Sequence, residues 1–146
     1  MSAETDMIKL YSGRILALAA DMPRTARLAA PTATANRRAP LCGSTVTVDV
    51  QLIDGIVTDY GQDVKACALG QAAAAVLGSN IVGLSAAQIR TGRDQLIAML
   101  KHDGPPPAAP FDDLSVLLPA KDYKNRHASI LLAFDATLDA LGTLHT

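Results

Sequence analysis

The stretch Thr45-Val46-Thr47-Val48-Asp49-Val50-Gln51-Leu52-Ile53-Asp54-Gly55-Ile56-Val57-Thr58 decides the fold class. Val46, Val48, Val50 and Leu52 alternate with Thr45, Thr47, Asp49 and Gln51, the period of a half-buried strand. Asp54-Gly55 is the residue pair favoured where a two-residue hairpin turn needs positive φ. A second strand then runs from Ile56 towards Val64. The hairpin is antiparallel, and one of its faces is apolar and needs a cover.

Helices on either side can supply that cover. Over residues 6–22, Ile8, Tyr11, Ile15, Leu18 and Met22 recur at spacings of three and four, one face of a helix, with Thr5 as cap and Pro23 beyond its end. The Thr/Ala/Arg stretch 24–40 holds at most a short edge strand, near 32–36. After Cys67 an Ala-rich helix is expected to about Ile81, with Gly83 as its stop. Ser85-Ala-Ala-Gln88 reads as a capping box for a helix to about Lys101. Asp103-Gly104 and prolines 105, 106 and 107 mark a loop, and Asp112-Asp113 looks like a helix entrance. His127, Ile130, Leu131, Phe134, Leu138 and Leu141 form the stripe of a final helix. Helix, strands, then helices make an α+β fold: a three-stranded, mostly antiparallel sheet covered by helices. No internal repeat is visible.

The chain has 146 residues, which fits one domain over 1–146; at that length a fold buries roughly 68–70% of its unfolded surface. Hydrophobic residues are 49% and charged residues 18%, which excludes global disorder. A net charge of −1 gives no electrostatic case for nucleic acid, and 3% aromatics leave no stacking platform for single strands. No apolar run approaches the ~20 residues of a membrane span. The opening residues carry Glu4 and Asp6 and lack a basic segment followed by an apolar run. The expectation is a cytoplasmic protein whose two cysteines, Cys42 and Cys67, are free thiols.

Those cysteines are the main chemical candidates. Cys42 precedes Gly43 at the entrance of the first confident strand, where glycine lets the backbone bend towards a ligand. Cys67 stands where the second strand gives way to a helix, and the positive end of the helix dipole favours a thiolate there. Each has a plainer reading as a small buried hydrophobe. The hairpin pairing brings the start of one strand near the end of the other, and with them the two cysteines. His127 opens the final helix and is either a hydrogen-bonded, half-buried histidine or a ligand. His102 and His145 read as solvated. Two thiolates and an imidazole suit zinc or ferrous iron. The cluster Lys121, Lys124 and Arg126 reads as a solvated turn. No phosphate loop, nucleophile elbow, HExxH or calcium loop is present.

Three stretches resemble the U-type iron–sulfur cluster assembly scaffolds, the family of the NifU N-terminal domain and IscU-like proteins. Ala39-Pro40-Leu41-Cys42-Gly43-Ser44 is similar to the family's Ala-x-Cys-Gly-Asp strand entrance. Lys65-Ala66-Cys67-Ala68 falls at its second cysteine, before an Ala/Ser-rich helix. Arg126-His127-Ala128-Ser129-Ile130-Leu131 resembles its His-Cys-Ser-Ile-Leu helix start. Asp54-Gly55 and the Leu10-Tyr11 helix also fit.

The resemblance implies a scaffold, not an enzyme, that holds a transient Fe–S cluster, or a zinc or iron ion, at Cys42, Cys67 and His127. It implies a cysteine desulfurase and cluster-acceptor or chaperone proteins as partners, with neither nucleic acid nor membrane. Two positions depart from the family. Ser44 stands in place of an aspartate and Ala128 in place of the third cysteine, which commonly receives the persulfide sulfur. Two thiolates and His127 then leave a fourth position for water, Ser44 or an external thiol, and a labile site is expected. The rival readings are a metal-free adaptor that keeps the fold and its desulfurase or chaperone surface, and a thiol enzyme with Cys67 as nucleophile and His127 as base.

Overall fold

The computed structural model describes residues 12–40 and 43–142. The element order is α1 (Gly13–Ala20), β1 (Ala33–Arg38), β2 (Thr45–Ile53), β3 (Ile56–Lys65), α2 (Ala68–Asn80) and α3 (Ala86–Lys101). Two 3₁₀ segments follow, Asp112–Asp122 and Lys124–Arg126, and then α4 (His127–Gly142). The sheet is antiparallel throughout, in the order β1-β2-β3.

The hairpin forms where alternation and turn chemistry place it. Asp54 and Gly55 both have positive φ, 53° and 78°, and Ile53 pairs with Ile56. This is the primed turn whose twist matches the strands it joins. A register shift between Gln51 and Leu52 then puts Gln51 opposite Asp59. Val46, Val48 and Val50 are buried on one face, where α4 packs over β1 and β2 while α2 lies against β3. Tyr60 reaches from β3 to α4, its hydroxyl 2.8 Å from Thr137 Oγ1. The buried apolar residues of sheet and helices form one cluster.

The opposite face of the sheet is not open to solvent along its whole length. Residues 24–28 cross it as a strap, with Gln62 N–H donating to the Arg24 carbonyl at 2.8 Å. At Gly61 the strap comes so close that a Cβ would sit 2.3 Å from the Ala26 carbonyl oxygen. Asp49 lies beneath the strap with no exposed surface. It accepts hydrogen bonds from Arg27 Nε, Arg27 Nη2 (3.1 Å), Leu28 N (3.0 Å) and Thr34 Oγ1 (2.6 Å).

The first helix differs from the expected continuous one over 6–22. Ser12 is an N-cap at φ −59°, ψ 161°, with its hydroxyl accepting from Ile15 N at 3.4 Å, so α1 begins at Gly13. Thr5, Ile8 and Tyr11 lie outside the described residues. Ile15 is fully buried and Leu18 and Met22 pack against the core, so the rest of the stripe holds. β1 is slightly longer than the expected edge strand. The Ser85 capping box is complete: the hydroxyl accepts from Gln88 N while Gln88 Oε1 accepts from Ser85 N. Asp112-Asp113 opens a 3₁₀ segment that runs through Pro119.

Candidate functional site

Thr45 pairs with Lys65, so the entrance of β2 lies beside the exit of β3. The β1–β2 connection is closed by Ala39 N donating to Ser44 O (2.8 Å) and Gly43 N donating to Ala39 O (2.9 Å). Gly43 takes a positive φ of 69°, the conformation for which glycine is suited. Cys42 falls in this connection but outside the described residues, and His145 lies outside them as well.

Cys67 is the N-cap of α2, in extended conformation at φ −66°, ψ 169°, and its side chain makes no cap hydrogen bond. It is a free, half-buried thiol. Its sulfur lies 3.6 Å from Ser129 Oγ, and Ser129 Oγ lies 3.1 Å from Ser44 Oγ. Both serines are buried. A line of three polar atoms thus joins the entrance of β2, the first turn of α4 and the start of α2. Ala128, beside Ser129, is exposed.

His127 is buried, with Nε2 3.0 Å from the Ala120 carbonyl. A carbonyl only accepts, so Nε2 is the donor in this contact. An imidazole anchored in this way is the common arrangement of a metal-ligating histidine, and it equally suits a structural one. The ring also lines a cleft of about 440 Å³ with Leu100, Lys101, Asp103, Lys121, Asp122 and Lys124. There Lys121 pairs with Asp103 at 2.9 Å, which raises the ammonium's pKa and lowers the carboxyl's. Among the described residues, no three His, Cys, Asp or Glu side chains group closely enough to hold a metal ion. His102 is exposed, as expected.

The structure therefore brings Cys67 to Ser129 and Ser44, while His127 is anchored to the 3₁₀ segment. Ser44 is turned inward to Ser129. The part of Ser129 does not show in the sequence, where it reads only as one letter of a helix start. The signals that point to it are small residues in apolar company: a serine beside Ile130 and a glycine, Gly70, in the Ala-rich helix. Such residues mark places where two backbones approach closely. No described helix is long and apolar enough to cross a membrane.

Comparison with known proteins gives the family. No protein-family model and no curated protein matches the chain. Among solved structures, the N-terminal part of a nitrogen-fixing NifU-like protein from Brucella abortus is 45% identical, with a TM-score of 0.93 over 96% of this chain and 97% of that one. A SUF-system iron–sulfur cluster assembly scaffold protein from Fervidobacterium islandicum AW-1, described as putative in that structure, superposes with a TM-score of 0.82 at 17% identity. It covers 92% of this chain and 98% of its own. A hypothetical protein does the same at 16% identity and equal coverage. The latter two share the fold; the first is a close relative over nearly the whole of both chains. With 45% identity over 96% of its length, the chain belongs to the U-type scaffold family of NifU-like N-terminal domains.

Proposed function

We propose that this chain is an iron–sulfur cluster assembly scaffold whose cargo, iron or a nascent cluster, is held by Cys42 and Cys67 with His127 as an imidazole donor. The supporting observation is the meeting of the β2 entrance, the α2 start and the α4 start at Ser129, whose hydroxyl contacts Ser44 and the Cys67 sulfur. Cys42 stands two residues before Ser44 in the sequence. Thiolates and an imidazole are the right donors for ferrous iron, zinc or an iron–sulfur cluster. The Cys67 side chain is not spent on capping its own helix, which leaves the sulfur able to ligate. On this reading the protein is not an enzyme, works in the cytoplasm, and receives sulfur from a cysteine desulfurase before passing the product to acceptor or chaperone proteins. With Ala128 in place of a third thiol, persulfide delivery has to use Cys42 or Cys67.

Anaerobic reconstitution with iron and sulfide, followed by metal analysis and visible absorption, tests this on wild type, Cys42→Ala, Cys67→Ala and His127→Ala. Stoichiometric loading of the wild type, lost in each variant, is expected. An unloaded wild type overturns the proposal.

Two observations favour a second reading, a metal-free adaptor that keeps the scaffold's partner surface. Ala128 offers no ligand and Ser44 is bonded to Ser129. In that case the double Cys42→Ala/Cys67→Ala variant still binds the desulfurase, and no metal is found with the wild type.

A further inference from the structure

We propose that Ser129 is the positioning residue for the Cys67 sulfur, donating its hydroxyl hydrogen to the thiolate while it accepts from Ser44. Ser44 then acts through Ser129 and is not itself a ligand. This rests on the scaffold reading above and extends it to residues outside the expected ligand set.

The polarity of the line follows from its end. A thiolate has no hydrogen to give, so with Cys67 ionised Ser129 must be the donor across the 3.6 Å contact. Ser129 has one hydrogen, so its oxygen is left to accept from Ser44 across 3.1 Å. Both hydroxyls are buried, at 1% and 4% exposure, where water competes little for them and each bond in the chain polarises the next.

The backbone is built for this contact. Gly70 lies in the first turn of α2, three residues after Cys67. A Cβ at Gly70 would sit 2.6 Å from Ser129 Oγ and 2.9 Å from the Ser129 carbonyl oxygen. Any larger residue there would push α4 away from α2 and break the contact. The Cys67 sulfur, for its part, meets Ser129 and makes no cap hydrogen bond to its own helix.

Ser129 also stands next to Ala128, where a third thiol is missing. The hydroxyl cannot replace that thiol as a persulfide carrier, but it can hold one of the two remaining sulfurs in a fixed direction and offset part of its charge. Hydrogen bonds to ligating sulfurs raise the reduction potential of a bound cluster, because they stabilise the more electron-rich state.

The test uses Ser129→Ala and Ser44→Ala. On the reconstituted protein the midpoint potential is expected to move to more negative values in Ser129→Ala, and in the same direction by less in Ser44→Ala. A purely structural role for the serines would lower thermal stability and leave the potential in place. A metal-free measurement reads the contact itself, on protein with Cys67 protonated so that the sulfur either donates to or accepts from Ser129: the S–H stretching band of Cys67, in a Cys42→Ala background that leaves one thiol. That band is expected to shift when Ser129→Ala is added. An unmoved band together with an unmoved potential overturns the proposal. If the band moves but the wild type takes up no cluster, the positioning contact stands and the scaffold reading falls.

Discussion

Asp49 is the buried carboxylate among the described residues, and the alternation of its strand conceals it. In that pattern it reads as one of the outward polar residues, beside Thr47 and Gln51. It is outward, but residues 24–28 lie over it, and this strap carries no period from which a crossing could be read. Arg27 is half exposed, so solvent screens the Coulombic part of its pairing with Asp49. The larger contribution is the set of hydrogen bonds that would go unmade. Asp49→Ala is therefore expected to lower the unfolding free energy by about 2–3 kcal/mol near neutral pH, as measured by urea denaturation. The Arg27 hydrogen bond, helped by Thr34 and the Leu28 amide, holds the carboxyl below the usual aspartate range against the opposing effect of burial. A depressed folded-state pKa contributes stability that is fully present above the unfolded value of about 3.9 and is lost as pH falls through the folded value. Stability of the wild type should therefore fall with acid below about pH 4 more steeply than that of Asp49→Asn. Equal slopes would mean that the strap is held by something other than this carboxylate.

The elements that can be read from the sequence are those specified by short-range chemistry. The hairpin needs only alternation and Asp54-Gly55, and α3 needs only the Ser85/Gln88 pair. The start of α4 needs only the stripe that begins at His127. Elements that depend on distant partners are not legible in that way. The Phe111 ring sits against Gly92 of α3, where a Cβ would lie 2.3 Å away, and it meets Phe134 edge-on at 5.3 Å. That packing fixes how the chain leaves its proline loop, and a local pattern cannot show it. The helix start at Ser12 is a smaller case: a continuous apolar stripe hides a residue able to act as an N-cap. The Ser85 box carries a prediction of its own. Ser85 also bridges to Ile56, and Val57 N donates to Leu84 O at 2.9 Å, so the cap anchors the outer edge of β3 as well as α3. Ser85→Ala is expected to cost about 1 kcal/mol in chemical denaturation, and Ser85→Asp, which can still cap, much less. Equal losses for the two would show that the hydroxyl's cap bond is not what holds the helix start.

At the scale of the molecule, the fold and the candidate site respond to different residues. The core is carried by the valines of β2, the alanines of α2 and the apolar stripe of α4, and Cys67 only borders it. The site gathers residues far apart in the chain: Ser44 and Ser129 are 85 positions apart, and Cys67 and Ser129 are 62. The cysteines and the histidine are legible because few other residue types do their chemistry. The serine that meets Cys67 is not, because serine is common and only the tertiary approach at Gly70 gives it a role. This separation has a measurable consequence. The Cys67 side chain is half-buried, and its sulfur meets Ser129 through a sulfur–hydroxyl bond, a weak interaction. Cys67→Ala should thus change the unfolding free energy by no more than about 1 kcal/mol, since a net hydrogen bond contributes on that order. The same substitution should abolish metal or cluster loading. Ser129→Ala should show the reverse balance: a measurable loss of stability from the buried bond to Ser44, with loading kept but altered in potential. Urea denaturation of the metal-free proteins, set beside metal analysis of the reconstituted ones, reads both. Collapse of the fold in Cys67→Ala would make that thiol a structural residue, and the site would then have to be sought elsewhere on the molecule.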